Sequence, residues 1–349
     1  MKREGWIDSC RFFAIFVIMA THFLADLLPD ALGLWEKMPA RLLLGGLTGK
    51  FSVAFFFVLL GYFASAPKPF SLREYGRYAL RRYLQFAFFV LVTESFYLVG
   101  CRGVSFLFHA PDEAAARVLS DGWRYNLVYL LRDSFLFEDT YDATLWCLQQ
   151  LFLASLVCRL LGYLPERLSS AVRVGIPVAL GMLLLLISPG YCVWISVSLL
   201  GVLLRPALAL FDRHPALTRP GSLLVLFLAA VLCIKAPLEE GLLLYLLEGL
   251  GAFLLLLALF HSRWAKRILA RGPFPRLGLW SMGLFVVHTP VFSLADSSLY
   301  VLLNGRLPLW LTLALTFTVG TALCILAARL LHGAYAALSR RLTRQPARV

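Results

Sequence analysis

The sequence predicts an all-α fold: a polytopic membrane helix bundle of about ten transmembrane helices, with both termini in the cytoplasm. Of its residues 60% are hydrophobic and only 15% are charged, whereas soluble domains are nearer half apolar and a quarter charged. The apolar residues form blocks of about 16 to 25, which is the length that crosses a bilayer as a helix. Lysine and arginine are concentrated in alternate connections, as in cytoplasmic loops.

The apolar blocks predict the helices in chain order. They cover residues 11–28, 42–65, 79–100, 144–163, 172–188, 190–204, 221–236, 241–260, 278–300 and 308–331. The block at 190–204 is short, so we expect a tilted or broken helix there. We expect residues 1–335 to form a single transmembrane domain with an outer loop region at 101–143. Residues 336–349 are predicted to be a basic cytoplasmic tail.

The net charge of +13 belongs largely to the predicted inner connections. It is therefore explained by membrane topology and by affinity for anionic lipid. We expect the lipid bilayer as a partner and no nucleic acid, because no soluble basic domain is present to bind it.

Metal and phosphate-loop motifs are missing from the sequence. The seven cysteines are scattered, and none belongs to a CxxC pair or to a cysteine–histidine cluster. No HExxH or other zinc spacing occurs, and the segment at 44–52 lacks the leading glycine of a phosphate loop. We therefore expect no metal and no bound cofactor.

Four polar side chains share one stripe of the first helix. At about 100° per residue, Arg11 falls roughly 20° from His22, while Asp8 and Asp26 each fall roughly 40° from it. The rise of about 1.5 Å per residue places Arg11 some 16 Å from His22 along the axis. A histidine inside an apolar block is costly, so the stripe favours a path through protein or water over contact with lipid. A purely structural polar network is the alternative.

Other polar residues in or beside apolar blocks are further candidates, each with a structural alternative. Four arginines recur near helical spacing on an inner segment and suit either membrane anchoring or phosphate binding: Arg73, Arg77, Arg81 and Arg82. Glu94 and Glu248 lie inside apolar blocks and suit either a buried pair or chemistry. Trp146 suits an interfacial belt, the more common case, and is otherwise a possible site residue.

Five stretches of sequence follow one another in a recognisable order. Asp8, Arg11 and then His22, eleven residues later, fill the first pattern. The others are the apolar run at 55–63, the arginines at 73–82, a Leu-Trp-Cys-Leu at 145–148, and a Ser-x-x-x-Phe-x-x-His-x-Pro at 281–290. Together they resemble the motifs of the acyltransferase-3 family of membrane acyltransferases. Phe12 and Leu60 depart from the glycine and the serine usual there.

The resemblance implies transfer of an acyl group, usually acetyl from cytoplasmic acetyl-CoA, to a hydroxyl of a cell-envelope glycan or lipid-linked saccharide. It implies His22 as a general base or as a covalent acyl carrier, and Asp26 is placed to orient its ring. Asp8, Arg11 and His288 would position the site. The four arginines would hold the donor phosphates, and the donor's flexible arm would follow the first helix. The location implied is the inner or plasma membrane of a bacterium.

Two other classes of function fit the same stripe. A transporter or flippase-like carrier also places buried ionisable residues along a path, without acyl chemistry. A membrane scaffold with a degenerate site is the third class. Conversion of acyl-CoA separates the enzyme from both, and solute uptake without acyl transfer identifies the carrier.

Overall fold

The structure is a computed structural model, and it describes residues 4–23, 49–108, 120, 122–138, 145–165, 167–235 and 239–343. These residues form helices and contain no β-strand. The first seven helices are α1 (Gly5–His22), α2 (Gly49–Ala64), α3 (Leu72–Phe108), α4 (Trp123–Leu136), α5 (Trp146–Leu161), α6 (Ser170–Ile187) and α7 (Pro189–Arg213). The others are α8 (Pro220–Ile234), α9 (Leu242–His261), α10 (Arg263–Leu269), α11 (Phe274–Gly278), α12 (Ser281–Val291), α13 (Ser297–Leu303) and α14 (Leu309–Thr343). A π-helical turn, Phe292–Asp296, joins α12 to α13.

Within the described residues, six helical segments are long and apolar enough to cross a membrane by length and composition: Leu72–Gly103, Ser170–Ile187, Pro189–Arg213, Leu242–His261, Ser281–Leu303 and Leu309–Arg340. The helices α2, α5 and α8 are apolar but shorter. With α1, these segments correspond to the blocks predicted from the sequence. The all-α polytopic membrane bundle is confirmed, while the orientation of its termini stays a prediction.

Several helices extend beyond their apolar blocks. The short block at 190–204 belongs to α7, a helix of 25 residues that continues to Arg213. The last helix runs through the predicted start of the tail at residue 336 and ends at Thr343. An apolar run marks only the part of a helix that matches the bilayer, because the backbone hydrogen bonds of a helix continue equally well through polar residues.

The chain divides into two compact units. Unit 1 comprises Met1–Ile18, Pro39–Arg81 and Gln150–Pro275, and unit 2 comprises Met19–Met38, Arg82–Gln149 and Arg276–Val349. The division falls inside α1, between Ile18 and Met19.

Unit 1 is built around α7, which packs against α2, α6 and α9. At the crossing of α2 and α7, Gly61 and Gly201 meet backbone to backbone. A Cβ on Gly61 would overlap the carbonyl oxygen of Ser198, and one on Gly201 would overlap that of Val58. Small residues at such crossings let two helix backbones approach closely. Phe57 stacks on Trp194 at a ring distance of 5.6 Å and fills the core beside this crossing.

Unit 2 is built around the packing of α12 and its π-helical turn against α14. Gly283 of α12 lies against the backbone of Ala328. Pro290 has no backbone N–H to donate, and the wider π-helical turn begins two residues later. Such turns occur mostly as local irregularities and often at functional sites. A π-helical turn changes the direction in which side chains project, and here Asp296, the last residue of the turn, lies in the interior.

Candidate active site

His22 and His288 meet inside unit 2. Their ring centroids lie 5.3 Å apart, with the planes tilted by 44°. His22 occupies the last position of α1 and is half-buried, whereas His288 of α12 has no exposed surface. The structure therefore brings together two residues that lie more than 260 positions apart in the sequence and that the resemblance had placed in one site.

The hydrogen bonds of His288 fix its tautomer. Its Nδ1 lies 2.7 Å from the carbonyl oxygen of Phe285. A carbonyl can only accept, so Nδ1 carries the hydrogen. In the neutral ring Nε2 is then an acceptor, and the hydroxyl of Thr289 lies 3.4 Å from it. His288 thus presents an acceptor nitrogen from a ring that the backbone holds in place.

Aromatic side chains enclose this pair in unit 2. Phe292 meets the ring of His288 edge-on at 6.3 Å, and Phe23 lies 5.8 Å from Phe292. Phe317 of α14 closes the cluster, with its ring 5.0 Å from that of Phe23. These contacts surround the imidazole of His288 with apolar surface, and a low-dielectric environment strengthens electrostatic interactions with a reacting group.

Asp8 and Arg11 form an ion pair in unit 1, one turn apart on α1. The carboxylate oxygen of Asp8 lies 3.4 Å from Nη1 of Arg11. Asp8 is buried, and the guanidinium of Arg11 lies 5.1 Å from the ring centroid of Phe63. The same half of α1 is anchored by Ser9, whose hydroxyl donates to the carbonyl of Leu269. The pair thus lies beside a fixed contact of α1, and its positioning role stays a prediction.

The four predicted donor arginines lie on the first turns of α3. Arg73, Arg77 and Arg81 are exposed in unit 1. Arg82 belongs to unit 2 and is half-buried, with its guanidinium 5.0 Å from the ring centroid of Phe86. In the part of the chain that the structure describes, no carboxylate forms a salt bridge with these arginines.

The remaining predicted residues are distributed over both units. Glu94 is fully buried on α3 of unit 2, and Glu248 is buried on α9 of unit 1. Trp146 is half-buried at the start of α5. Asp26 lies outside the described residues. Among the residues that the structure describes, no group of three histidine, cysteine or acidic side chains is arranged to hold a metal ion.

Asp296 is a buried acid that neither the hydropathy pattern nor the motifs singled out. It ends the π-helical turn of unit 2 with 1% of its surface exposed. Neither carboxylate oxygen has a hydrogen-bond partner among the described residues. Gly320 of α14 makes room for it, since a Cβ there would collide with the carboxylate. An isolated acid inside the apolar block 278–300 was the signal that could have found it.

Comparison with known proteins places the chain in a family. No curated protein and no solved structure matches it. A family model described as an acyltransferase domain matches residues 4–329. This match covers nearly the whole chain and both histidines of the pair, and the chain therefore belongs to the acyltransferase-3 family of membrane acyltransferases.

Proposed function

We propose that this acyltransferase moves an acyl group, most simply acetyl, from cytoplasmic acyl-CoA to a hydroxyl of a cell-envelope glycan or lipid-linked saccharide. The observation that carries the proposal is the contact between the His22 and His288 rings inside unit 2. An imidazole is the side chain best suited to accept and return a proton near neutral pH. Two of them in contact, within apolar surroundings, suit proton transfer better than they suit packing.

In the direct mechanism His22 acts as the general base. It takes the proton from the acceptor hydroxyl while the oxygen attacks the thioester carbonyl, and a tetrahedral intermediate forms. The intermediate collapses as the carbon–sulfur bond breaks, and the imidazolium returns its proton to the departing thiolate. The products are the O-acyl ester and free CoA, with no net gain or loss of protons.

In the covalent mechanism the imidazole of His22 attacks the thioester itself. The carbon–sulfur bond breaks, CoA leaves as its thiolate, and an acyl-imidazolium remains on the protein. The acceptor hydroxyl oxygen then attacks that carbonyl, and the carbon–nitrogen bond breaks to release the neutral ring. The proton released from the hydroxyl balances the one taken up by the CoA thiolate. This route allows donor and acceptor to visit the site in turn.

His288 suits a supporting role in either mechanism. Its Nδ1–H is bound to the carbonyl of Phe285, so the ring is held in one orientation beside His22. A fixed neighbouring ring limits the positions that the His22 imidazole can adopt, and a fixed orientation of reacting groups lowers the entropic cost of reaching the transition state.

The donor phosphates are proposed to bind on the first turns of α3. Arg73, Arg77 and Arg81 are exposed there, and guanidinium forks match phosphate oxygens in charge and geometry. The long arm of CoA can follow α1, which is one continuous helix from Gly5 to His22.

The acceptor is proposed to bind beside α4, in the outer loop region. This helix buries its polar residues Asn126, Asp133 and Ser134 in unit 2, while large apolar side chains such as Trp123 and Tyr125 stay exposed. A helix of this kind can rest its exposed apolar side in the interface of a membrane, where it would border a saccharide bound at the outer surface. The proposed location, the plasma membrane of a bacterium, follows from the family resemblance.

The test of this proposal is chemical. Envelope glycans from cells with and without the gene are compared by mass spectrometry, and purified protein is incubated with labelled acetyl-CoA and the glycan fraction from the deletion strain. An acyl mass increment that disappears with the gene, and labelled glycan formed in vitro, are the expected results. Solute uptake without any transfer of label would assign the protein to the carrier class instead.

A further inference from the structure

Unit 1 contains a second group of arginines, on different helices from those predicted to bind the donor. Arg173, Arg205 and Arg213 line a single cavity of about 450 Å³ at the predicted inner ends of α2, α5, α6 and α7. A volume of this size matches small-molecule sites, which usually measure about 300–1,000 Å³. We call it the arginine cavity.

The charge of the arginine cavity has one sign. Among the residues that the structure describes, no aspartate or glutamate lines it. The larger cavity of unit 1, about 1040 Å³ between the inner ends of α7, α8 and α9, differs in this respect: there Asp212 lies 3.3 Å from His261. Basic residues that only set the membrane topology can lie anywhere in the cytoplasmic connections and need not line the same cavity. Three guanidinium groups around one cavity create a positive potential that favours a bound anion.

Arg205 is the fixed member of the group. It sits within α7, half-buried, with its guanidinium 4.4 Å from the ring centroid of Tyr62. Nε and Nη2 donate to the carbonyl of Tyr62 at 3.1 and 2.7 Å. A guanidinium has five N–H donors, and the described residues offer Arg205 no further acceptor. The remaining donors are therefore available to a ligand in the cavity.

The first turn of α6 adds to the positive potential. Ser170 begins this helix of 18 residues and lines the cavity, and Arg173 lies three positions further on. The side chain of Arg173 is held by a hydrogen bond from Nε to the carbonyl of Leu168 at 3.1 Å. The amino-terminal end of a helix carries partial positive charge and favours anions. This contribution supplements the arginines.

We propose that the arginine cavity is a binding site for a phosphate-bearing anion. Arg205 supplies fixed donors at its inner wall, while Arg173 and Arg213 close on the anion from the exposed side. The forked donors of arginine suit phosphate oxygens better than a single ammonium would. Two sources share this chemistry: CoA and the headgroup of an anionic inner-leaflet lipid. CoA carries a diphosphate and a separate 3′-phosphate, so the arginines of α3 and the arginine cavity would each hold a different one of these groups. Only the first source rests on the proposed function.

The test measures binding to the full chain in nanodiscs of phosphatidylcholine, without turnover. One probe is CoA, titrated as a soluble ligand. The other is phosphatidylglycerol, mixed into the nanodiscs and counted by native mass spectrometry. The variant is Arg173→Gln with Arg213→Gln, because both side chains are exposed and their loss leaves the Tyr62 contact intact. The matched control is Arg167→Gln with Arg219→Gln, two exposed arginines of neighbouring connections that do not line the cavity.

The cavity variant should lose affinity for one probe by about tenfold or more, while the control changes less than about twofold. Loss for CoA identifies the donor as occupant, and loss for phosphatidylglycerol identifies the lipid. Equal affinity of both variants for both probes overturns the proposal. A second readout needs no mutation: the bound probe should protect Arg173 and Arg213 of the wild-type chain from phenylglyoxal, and unprotected labelling would also overturn it.

Binding and catalysis fail separately in this design. A chain that binds CoA through the arginine cavity but transfers no acyl group would sink the proposed function and leave this site intact. Acyl transfer by the wild-type chain, together with unchanged affinity of the cavity variant for both probes, would overturn this site and leave the proposed function intact.

Discussion

Two imidazole rings, 5.3 Å apart in unit 2, carry the proposed chemistry at the residue scale. His22 is half-buried and His288 is fully buried, so a substrate can reach the first more readily than the second. This asymmetry supports the proposal that His22 transfers the proton or the acyl group and that His288 orients it.

Replacement of His288 should therefore slow the reaction without abolishing it. His288→Gln removes the ring beside His22, and we expect acyl transfer to fall roughly 10- to 100-fold, less than the ~10²- to 10⁴-fold contribution of a direct general base. The pH dependence of turnover should also move, because the surroundings of His22 change. His261→Gln, which alters a histidine of unit 1, is the matched control. Wild-type turnover with an unchanged pH profile in His288→Gln would make this histidine a packing residue.

A surface carboxylate in unit 1 gives a second residue-scale prediction, one that concerns stability. Glu240 contacts the ammonium of Lys50 and accepts a hydrogen bond from the Tyr245 hydroxyl at 2.6 Å. The contact with Lys50, and to a lesser extent the hydrogen bond from Tyr245, hold the pKa of Glu240 below its ordinary value of 4.5. The folded state thus prefers the charged form. Its stabilisation is present above the ordinary pKa and is lost as the pH falls through the lower, folded-state pKa.

The size of this effect is limited because the Glu240 side chain is 65% exposed, and exposed ion pairs contribute about 0–1 kcal/mol. Thermal unfolding of the wild type and of Glu240→Gln should differ slightly at about pH 7. The difference should shrink as the pH falls through the folded-state pKa of Glu240, because protonation then makes both side chains neutral. A difference that grows in acid would contradict the assignment.

At the scale of elements, the closest helix crossing of unit 1 depends on two glycines. A Cβ on Gly61 would meet backbone atoms of Ser198, and a backbone cannot rotate away as a flexible side chain can. Gly61→Ala should therefore destabilise the protein by about 1–3 kcal/mol or more, because overpacking forces α2 and α7 apart. The unfolding midpoint in detergent measures the loss.

Gly76→Ala is the control for this substitution. Gly76 lies in α3, and a Cβ there would find no atom within 4 Å. Alanine is the better helix former by about 0.8–1 kcal/mol, so this variant should be at least as stable as the wild type. Equal behaviour of the two variants would mean that the crossing is looser than its geometry indicates.

Helix identity could be predicted from the sequence, whereas helix ends and irregularities could not. Each apolar block has its helix because burial in a bilayer selects apolar residues over a whole span. The extension of α7 to Arg213 carries no hydropathy signal. The π-helical turn at Phe292–Asp296 interrupts a span that reads as one block. Its position depends on tertiary packing against α14, which a single sequence does not display.

The candidate site could likewise be predicted from the sequence only in part. The spacing of Asp8, Arg11 and His22 predicted a shared stripe because one helix fixes it, and Asp8 and Arg11 are indeed paired. The contact between His22 and His288 could be anticipated only through the family motifs, since the two residues lie on helices that are far apart in the sequence. Asp296 and the arginine cavity could not be predicted, because the burial of a side chain and the shape of a cavity depend on how the helices pack.

The whole molecule is predicted to place both termini in the cytoplasm. Lys50, in the first turn of α2, pairs with Glu240, which precedes α9. This pair requires both residues to lie on one side of the membrane, and the predicted topology makes that side the outer one. A reporter fused after residue 349 should be active only in the cytoplasm, and one inserted after Glu239 should be active only outside. A carboxy-terminal reporter active outside would overturn the ten-span arrangement.

The most direct measurement of the proposed function is turnover by His22 variants. Purified wild type, His22→Ala and His22→Gln are incubated with labelled acetyl-CoA and envelope glycan, and transferred label is counted. Both variants should lose at least ~10²- to 10⁴-fold in rate while expression and unfolding midpoint stay near wild type, because neither side chain can take a proton or carry an acyl group. Full turnover by folded His22→Ala would contradict the catalytic assignment of the histidine pair.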